Sequence, residues 1–411
     1  MSKKDLKFLS FPADFLWGAS TSAHQIEGGT NNDWTQWESS PERLANLKAQ
    51  GKNTFDYESG QAANSWELYE EDFNLIQDLN CGGYRFGIEW SRIEPEEGKF
   101  NLEALRHYKT MLTSLKERNL KTVLTIWHWT NPIWFAELGG WTNRDSVKYF
   151  TRFTNACVEE FGDLVDLWIV LNEPTVHILN GYLKGKFPPH HQNPWQAQVA
   201  LHNLIKAQKK AYTIIKENTY EAQVGLTTLA NFIEPADKHN FFDQALAKLA
   251  NFAWNRYFVY RTRNHVDFIA LDYYFHNRLA AKRPHNLNLN KLTTDLGWEI
   301  FPLGIYEVIK EFSRYKLPIY IMENGLADEE DKNRANFIKE HLYYIHQAIS
   351  DGYAVKGYFH WSLLDNFEWA EGHTAKFGLY QVNRQTFERT ARPSATVYAQ
   401  TCKDNGFWAE Y

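Results

Sequence analysis

The chain has 411 residues, a formal net charge of −6, 44% apolar residues and 23% charged residues. This composition is typical of a globular protein with a large core, and it offers no basic footprint of the kind that nucleic-acid-binding proteins need. No apolar run approaches the ~18 residues of a membrane span, and the first residues lack the apolar stretch of a signal peptide, so we expect neither a nucleic-acid partner nor a membrane.

Eight short runs rich in β-branched and aromatic residues recur along the chain, separated by segments with helical spacing of apolar residues. Two of the predicted helices cover residues 66–78 and 337–349. The eight predicted strands cover residues 15–20, 84–90, 122–127, 165–171, 224–229, 266–274, 318–322 and 357–361. Strand and helix therefore alternate from one end of the sequence to the other.

Several of these runs, such as residues 167–171 (LWIVL), are apolar throughout instead of alternating. That pattern predicts parallel strands covered on both faces. We expect one domain over residues 1–411, a single (β/α)8 barrel with long loops at the carboxyl ends of its strands. A doubly wound open sheet is the alternative, although no GxGxxG follows the first strand and no GxxxxGK[ST] occurs.

The three cysteines, Cys81, Cys157 and Cys402, are far apart and form no CxxC pair. An odd number of isolated cysteines suits free thiols in a reducing compartment. We expect a cytoplasmic protein without a disulfide framework.

Polar side chains follow the predicted strands with a regularity that chance would not give. They include His24 and Gln25 after the first strand, His128 after the third, Asn172 and Glu173 after the fourth, Glu323 after the seventh, and Glu368 and Trp369 after the eighth. In barrel enzymes the catalytic groups stand at the carboxyl ends of the strands. Glu173 and Glu323 could therefore meet across the barrel mouth, where one carboxyl stays protonated and the other ionised, as cleavage of an acetal requires. A surface acid at a helix start is the alternative for either residue alone.

The ordered set of motifs from Phe11 to Arg392 resembles the family-one glycoside hydrolases, the β-glucosidase and β-galactosidase group. The motifs are Gln25-Ile26-Glu27-Gly28, Asn172-Glu173-Pro174, Glu323-Asn324-Gly325 and the segment from Trp361 to Trp369. The resemblance implies a (β/α)8 barrel and a retaining double displacement, with Glu173 as acid/base and Glu323 as nucleophile. Pro174 disfavours a helical conformation for Glu173, so we expect that residue to lie outside a helix.

The resemblance also implies roles for further residues. Arg85 and Tyr274 would support the nucleophile, and Trp361 would stack on the sugar, since an indole covers the C–H face of a ring. Trp298 would lie on the leaving-group side, with a buried loop anchor as its alternative. The expected hydroxyl partners are Gln25, His128, Asn172, Glu368 and Trp369. For His128 the alternative is a neutral core histidine bonded to a backbone carbonyl.

The expected substrate is a β-glycoside or oligosaccharide with a terminal, unphosphorylated β-D-glucosyl residue; β-galactosyl and β-fucosyl residues are close alternatives. No cofactor and no metal is expected, because the histidines show neither His-x-His nor HExxH spacing. Glu368 stands where relatives that act on 6-phosphorylated sugars have serine, which argues against that activity. A sugar-binding relative without catalysis is a further alternative, but such proteins have lost one of the two glutamates.

The sequence departs from the family pattern at position 272, which is Asp instead of the usual Asn. An ionised Asp272 would raise the pKa of Glu323 and move the acidic limb of the pH profile upward, whereas a protonated one would imitate the amide. Glu89 has the same strand parity as Arg85, and we expect it to form a structural salt bridge with an arginine.

Overall fold

Eight strands pair in parallel and close into a barrel. The structure is a computed structural model that describes residues 6–219, 221–282, 286–287 and 289–410. Its strands are β1 (Leu6–Ser10), β2 (Leu16–Ser20), β3 (Gly83–Gly87), β4 (Lys121–Trp127), β5 (Leu167–Leu171), β6 (Gln223–Leu229), β7 (Phe232–Pro235), β8 (Phe268–Asp272), β9 (His276–Leu279), β10 (Ile319–Asn324), β11 (Val355–Trp361), β12 (Tyr380–Val382), β13 (Arg389–Ala391) and β14 (Gly406–Glu410).

The barrel runs in the order β2, β3, β4, β5, β6, β8, β10 and β11, and β11 pairs again with β2. All eight predicted strands are confirmed, and the open doubly wound sheet is wrong because the sheet has no free edge. The predicted second strand is too long, because β3 ends at Gly87 and a helix begins at Trp90. The predicted seventh strand is too short. Strand β10 continues through Glu323 and Asn324 because these residues pair with Asp272 and His360 on the neighbouring strands.

Helices surround the barrel, and both helices singled out above are present as α4 and α14. The α-helices are α1 (Ala23–Ile26), α2 (Asp33–Glu38), α3 (Pro41–Ala49), α4 (Ser65–Asp78), α5 (Trp90–Ile93), α6 (Leu102–Glu117), α7 (Ile133–Glu137), α8 (Ser146–Phe161), α9 (Pro174–His177), α10 (Pro194–Asn218), α11 (Phe241–Asn251), α12 (Tyr257–Thr262), α13 (Leu303–Phe312), α14 (Arg334–Ser350) and α15 (Pro393–Asp404). Within the described ranges, none of the helices has the length and apolarity that a membrane crossing requires.

Three small sheets lie outside the barrel. Strand β1 pairs antiparallel with β14, β12 pairs antiparallel with β13, and β7 pairs in parallel with β9. The β7–β9 pair joins the loops that follow β6 and β8. It therefore builds part of the wall around the carboxyl end of the barrel.

Large side chains fill the barrel interior where glycines make room for them. A Cβ atom at Gly18 would lie 2.3 Å from the Phe359 ring, and one at Gly225 would lie 2.3 Å from the Phe268 ring. The buried cluster that these rings join draws on five strands and contains Val123, Leu167, Ile169, Phe268, Ala270, Met322 and Phe359. This part of the interior is thus a packed core, as in other barrels of this class.

All three cysteines are buried free thiols. The Sγ atoms of Cys81 and Cys402 lie 3.9 Å apart, a proximity that their separation in sequence did not indicate.

Candidate active site

Two glutamates meet at the carboxyl end of the barrel. Glu173 lies two residues after β5, Glu323 is inside β10, and both side chains line the same cavity. One carboxyl oxygen from each of Glu173, Asp272 and Glu323 lies within 4.8 Å of the other two. The fold therefore brings together the two glutamates that the strand-end pattern singled out, with the family-atypical aspartate beside them.

The backbone at Glu173 is unusual. Its φ of 41° and ψ of 57° lie in the left-handed region, which few residues other than glycine adopt. Its N–H donates to Thr227 Oγ1 at 3.1 Å, and α9 begins at the next residue, Pro174. The expectation that Glu173 itself is not helical is confirmed.

Glu323 is held by two donors. Arg85 Nη1 donates to Oε1 at 2.5 Å, and the Tyr274 hydroxyl donates to Oε2 at 3.0 Å. Burial raises the pKa of Glu323 above its usual value, while the Arg85 cation and the Tyr274 hydroxyl oppose that rise. Both supporting residues expected from the sequence thus contact this carboxylate.

Glu173 has a different environment. Burial, followed by the charges of Asp272 and Glu323, raises its pKa well above the usual value, and Arg85 opposes this only in part. Two carboxyls in one site with such unequal surroundings separate into a proton donor and an anion. The arrangement favours a proton on Glu173 at a pH where Glu323 is ionised.

Asn172 links several of these groups. Its Oδ1 accepts from Arg85 Nη2 at 2.5 Å and from Thr227 Oγ1 at 2.6 Å, and its Nδ2 donates to His128 Nε2 at 2.9 Å. The two donors to Oδ1 fix the orientation of the amide, so His128 Nε2 must act as acceptor and Nδ1 carries the hydrogen. Asn172 therefore contacts both Arg85 and His128 through its side chain.

His128 is a neutral imidazole on the cavity wall. Burial and the Arg85 charge lower its pKa well below the usual value. Its buried Nδ1 has no hydrogen-bond partner among the residues that the structure describes. The alternative of a core histidine bonded to a backbone carbonyl does not hold, because the partner is the Asn172 side chain.

Glu368 is a buried acid on the same wall, and Gln25 lies behind it. Gln25 Nε2 lies 2.9 Å from Phe367 O and 3.3 Å from Glu368 Oε2, and Gln25 Oε1 accepts from Ser22 Oγ at 2.6 Å. Burial, with the charges of Glu323 and Glu371, raises the pKa of Glu368 to about 8. Gln25 is itself fully buried and contacts Glu368.

Tryptophan rings form much of the remaining wall. Trp361 ends β11, and Trp369 stacks on His128 with ring centroids 5.5 Å apart. Trp298 packs against Phe275 at a centroid distance of 4.6 Å and is partly exposed at the cavity surface. All three tryptophans expected at the site therefore line the cavity.

The cavity has a volume of about 830 Å³ and extends well beyond the glutamates. Its outer part is lined mainly by apolar side chains, and no sequence motif marks them. They include Val176, Leu179, Leu183, Leu201, Ile233, Trp254 and Leu279.

The expected role of Glu89 is corrected. The residue is fully buried, but its carboxylate accepts from hydroxyl groups instead of an arginine: from Thr130 Oγ1 at 2.9 Å and from Ser91 Oγ at 2.8 Å. Arg92, the arginine nearest in sequence, pairs with Glu27. Glu89 is buried as expected, but it lies beyond the end of β3 as the N-cap of α5, so the strand-parity argument does not apply to it.

Comparison with known proteins agrees with this geometry. The sequence model of Glycosyl hydrolase family 1 matches residues 8–264 and 259–407. The chain is 32% identical over 444 residues to a 1,4-beta-D-glucan glucohydrolase of Thermotoga neapolitana, with 96% of this chain and 99% of that protein covered. It is 29% identical over 502 residues to a beta-galactosidase of Pyrococcus woesei, with 96% and 98% covered.

Solved structures show the same fold. A beta-glycosidase from Pyrococcus horikoshii superposes with a TM-score of 0.88 at 35% identity, covering 98% of this chain and 96% of that one. A beta-glucosidase from Thermotoga maritima in complex with glucoimidazole gives a TM-score of 0.89 at 30% identity, covering 97% and 100%. The chain therefore belongs to glycosyl hydrolase family 1 and is an O-glycosyl hydrolase of the β-glucosidase-like type.

Proposed function

We propose that the protein is a retaining β-glycosidase that removes terminal, unphosphorylated β-D-glucosyl residues. The observation that carries the proposal is the approach of the Glu173 and Glu323 carboxyl oxygens to within 4.8 Å. Retaining glycosidases hold their carboxyls ~5–5.5 Å apart, whereas inverting ones leave ~6.5–9.5 Å for a water molecule between them. The short separation supports direct attack by one glutamate on the sugar.

In this mechanism Glu323 is the nucleophile. Its carboxylate, fixed by Arg85 and Tyr274, attacks the anomeric carbon as the bond to the leaving oxygen breaks. Glu173 gives its proton to that oxygen, and a glycosyl ester of Glu323 remains. Glu173, now a carboxylate, takes a proton from a water that attacks the same carbon, which releases the sugar and restores both groups.

The wall around the glutamates supplies sugar contacts. The Nδ1–H of His128 has no acceptor among the described residues, so it is available to donate to a sugar hydroxyl. Glu368 and Trp369 offer further hydrogen bonds, and Trp361 offers an apolar face for the ring. We propose that Gln25 and Asn172 hydrogen-bond to hydroxyls next to these groups and hold Glu368 and His128 in place.

The side that receives the leaving group is apolar. Trp298 and Phe275 stand at its inner edge, and Leu183 and Ile233 stand further out. This lining supports the proposed position of Trp298 beside the leaving group. The relatives include a 1,4-beta-D-glucan glucohydrolase and a beta-galactosidase, and we propose that this chain prefers glucosides.

A substrate screen with stereochemical analysis tests the proposal. We expect turnover of aryl β-glucoside to exceed that of the β-galactoside, β-fucoside and β-mannoside. Proton NMR during the first minutes should show β-glucose as the first product, with the α-anomer growing only by later mutarotation. An initial α-anomer would refute the retaining mechanism.

Selectivity against 6-phosphorylated sugars gives a second prediction. The inner cavity wall carries the acids Glu323 and Glu368. In the described part of the chain, the lysines that line the cavity are Lys184 and Lys186, and both are exposed to solvent. A phosphate dianion would be desolvated there without a cation to pair with, because Arg85 is already paired with Glu323. We expect kcat/KM for nitrophenyl 6-phospho-β-glucoside to be at least ~100-fold below that for the glucoside, because a buried unpaired charge costs several kcal/mol.

The pH dependence of this selectivity identifies the group responsible. Because the pKa of Glu368 is about 8, its charge and thus its repulsion of phosphate grow between pH 6 and 9. The ratio of the two kcat/KM values should widen over that range. A preference for the phosphorylated substrate at any pH would overturn the assignment.

We also propose a cytoplasmic location. The support is the presence of three cysteines as buried free thiols, a state typical of reducing compartments.

A further inference from the structure

The third carboxyl of the site, Asp272, has no donor of its own. It ends β8 and is fully buried, and neither of its oxygens has a hydrogen-bond donor among the described residues. The groups around it are the carboxyls of Glu173 and Glu323, the hydroxyls of Tyr274 and Thr227, and the guanidinium of Arg85, whose Nη1 is 4.0 Å from Asp272 Oδ1. A buried carboxylate without donors is costly, whereas a carboxyl that shares a proton with a neighbour is not.

Charge balance points the same way. Three carboxyls converge on one cation, Arg85, while His128 is neutral. Tyr274 donates to Glu323, and Thr227 donates to Asn172; Thr227 also lowers the pKa of Asp272, but burial outweighs this effect. Full ionisation would leave two uncompensated negative charges in a buried site, and carboxyls this close do not all ionise together.

The guanidinium is not shared equally. It lies 2.5 Å from Glu323 but 4.0 Å from Asp272, so Glu323 gains more from ionising. A proton in this site is therefore bound by Glu173 or Asp272 and not by Glu323.

We propose that Asp272 is a positioning residue that shares a proton with Glu173 and keeps Glu173 protonated into the alkaline range. The inference rests on the proposed role of Glu173 as general acid. The sequence led us to expect that Asp272 raises the pKa of Glu323. The structure favours Glu173 as the affected group instead, because the Arg85 cation contacts Glu323 and offsets the negative charge of Asp272 there. An asparagine, the usual family residue at this position, carries no charge and cannot exert this effect.

The pKa directions agree with the geometry. Burial and then Glu323 raise the pKa of Asp272 well above its usual value, and Asp272 is the largest cause after burial of the raised pKa of Glu173. Removing the Asp272 charge should therefore lower the pKa of Glu173. The expected consequence is an alkaline limb of the kcat/KM profile that begins at lower pH.

The test is Asp272→Asn, with kcat/KM measured from pH 4 to 10 on a glucoside with a poor leaving group. We expect the alkaline limb to move down by at least ~1 unit, within the 1–3 units that a close charge produces, which is a ~10-fold loss of activity on that limb. The acidic limb should move less than the alkaline one. The matched control Asp163→Asn, an exposed aspartate in the turn before β5, should leave both limbs unchanged.

A second substrate shows whether the effect acts through Glu173. A dinitrophenyl glucoside needs no proton for departure of its leaving group, so its alkaline limb should not move in Asp272→Asn. A structural defect would affect both substrates alike. An unchanged alkaline limb on the poor substrate, or a shift confined to the acidic limb, would overturn the inference.

Direct titration keeps the proposal testable if the variant has little activity. In enzyme labelled with ¹³C at the glutamate carboxyls, Glu173→Gln identifies the Glu173 signal, and its midpoint should be lower in Asp272→Asn. An equal midpoint would refute the sharing of a proton. If the unaltered enzyme hydrolyses no β-glycoside, the proposed function is wrong. The titration would still show whether Asp272 raises the pKa of Glu173.

Discussion

Replacing Glu323 with glutamine is expected to lower kcat/KM on every β-glucoside by about 10⁴-fold or more, the scale seen when a catalytic nucleophile is removed. The amide keeps the size of the side chain but cannot form the glycosyl ester. Arg85 Nη1 and the Tyr274 hydroxyl, which now donate to the carboxylate, would face a neutral group. The loss should therefore be the same for good and poor leaving groups, because attack by Glu323 is needed for both.

Steady-state kinetics with nitrophenyl glucoside and cellobiose measure this loss. The matched control is Glu217→Gln, the same exchange at an exposed position on α10, which should retain the activity of the unaltered enzyme. Circular dichroism of Glu323→Gln should show the fold intact. Residual activity above ~10% on either substrate would remove Glu323 from the mechanism.

The barrel could be predicted from the sequence because its strands are buried on both faces. A run such as residues 167–171 is then apolar throughout, and the polar residue after it marks the strand end. The small sheets could not be predicted in this way. Strand β1 pairs with β14 across nearly the whole chain, and β7 with β9 across two loops, so their pairing depends on the finished fold and not on local pattern.

The members of the site were predictable for a similar reason, since parallel strands present all their carboxyl ends at one mouth. The contacts between them were not. Asn172 was expected to bind sugar, but most of its bonds go to Arg85, Thr227 and His128, which come from three other strands or strand ends. The outer cavity is formed by apolar residues such as Leu201, which a sequence shows only as ordinary core residues.

The second large effect is expected for Glu173→Ala, and it should depend on the leaving group. Loss of a general acid typically costs ~10²–10⁴-fold. We expect a loss of about 10³-fold in kcat/KM on cellobiose, whose leaving alkoxide needs the proton. The dinitrophenyl glucoside should lose little in kcat/KM, since its phenolate leaves unaided, but its kcat should fall because Glu173 also activates water in the second step.

Added azide separates the two glutamates by stereochemistry. In Glu173→Ala the anion can occupy the space of the missing carboxylate and attack the glycosyl ester of Glu323, which gives the β-glucosyl azide and restores kcat. In Glu323→Ala azide would replace the nucleophile on the opposite face of the sugar and give the α-azide. Finding the α-azide with Glu173→Ala would mean that the roles are exchanged, because the anomer formed reports which face of the sugar each carboxyl occupies.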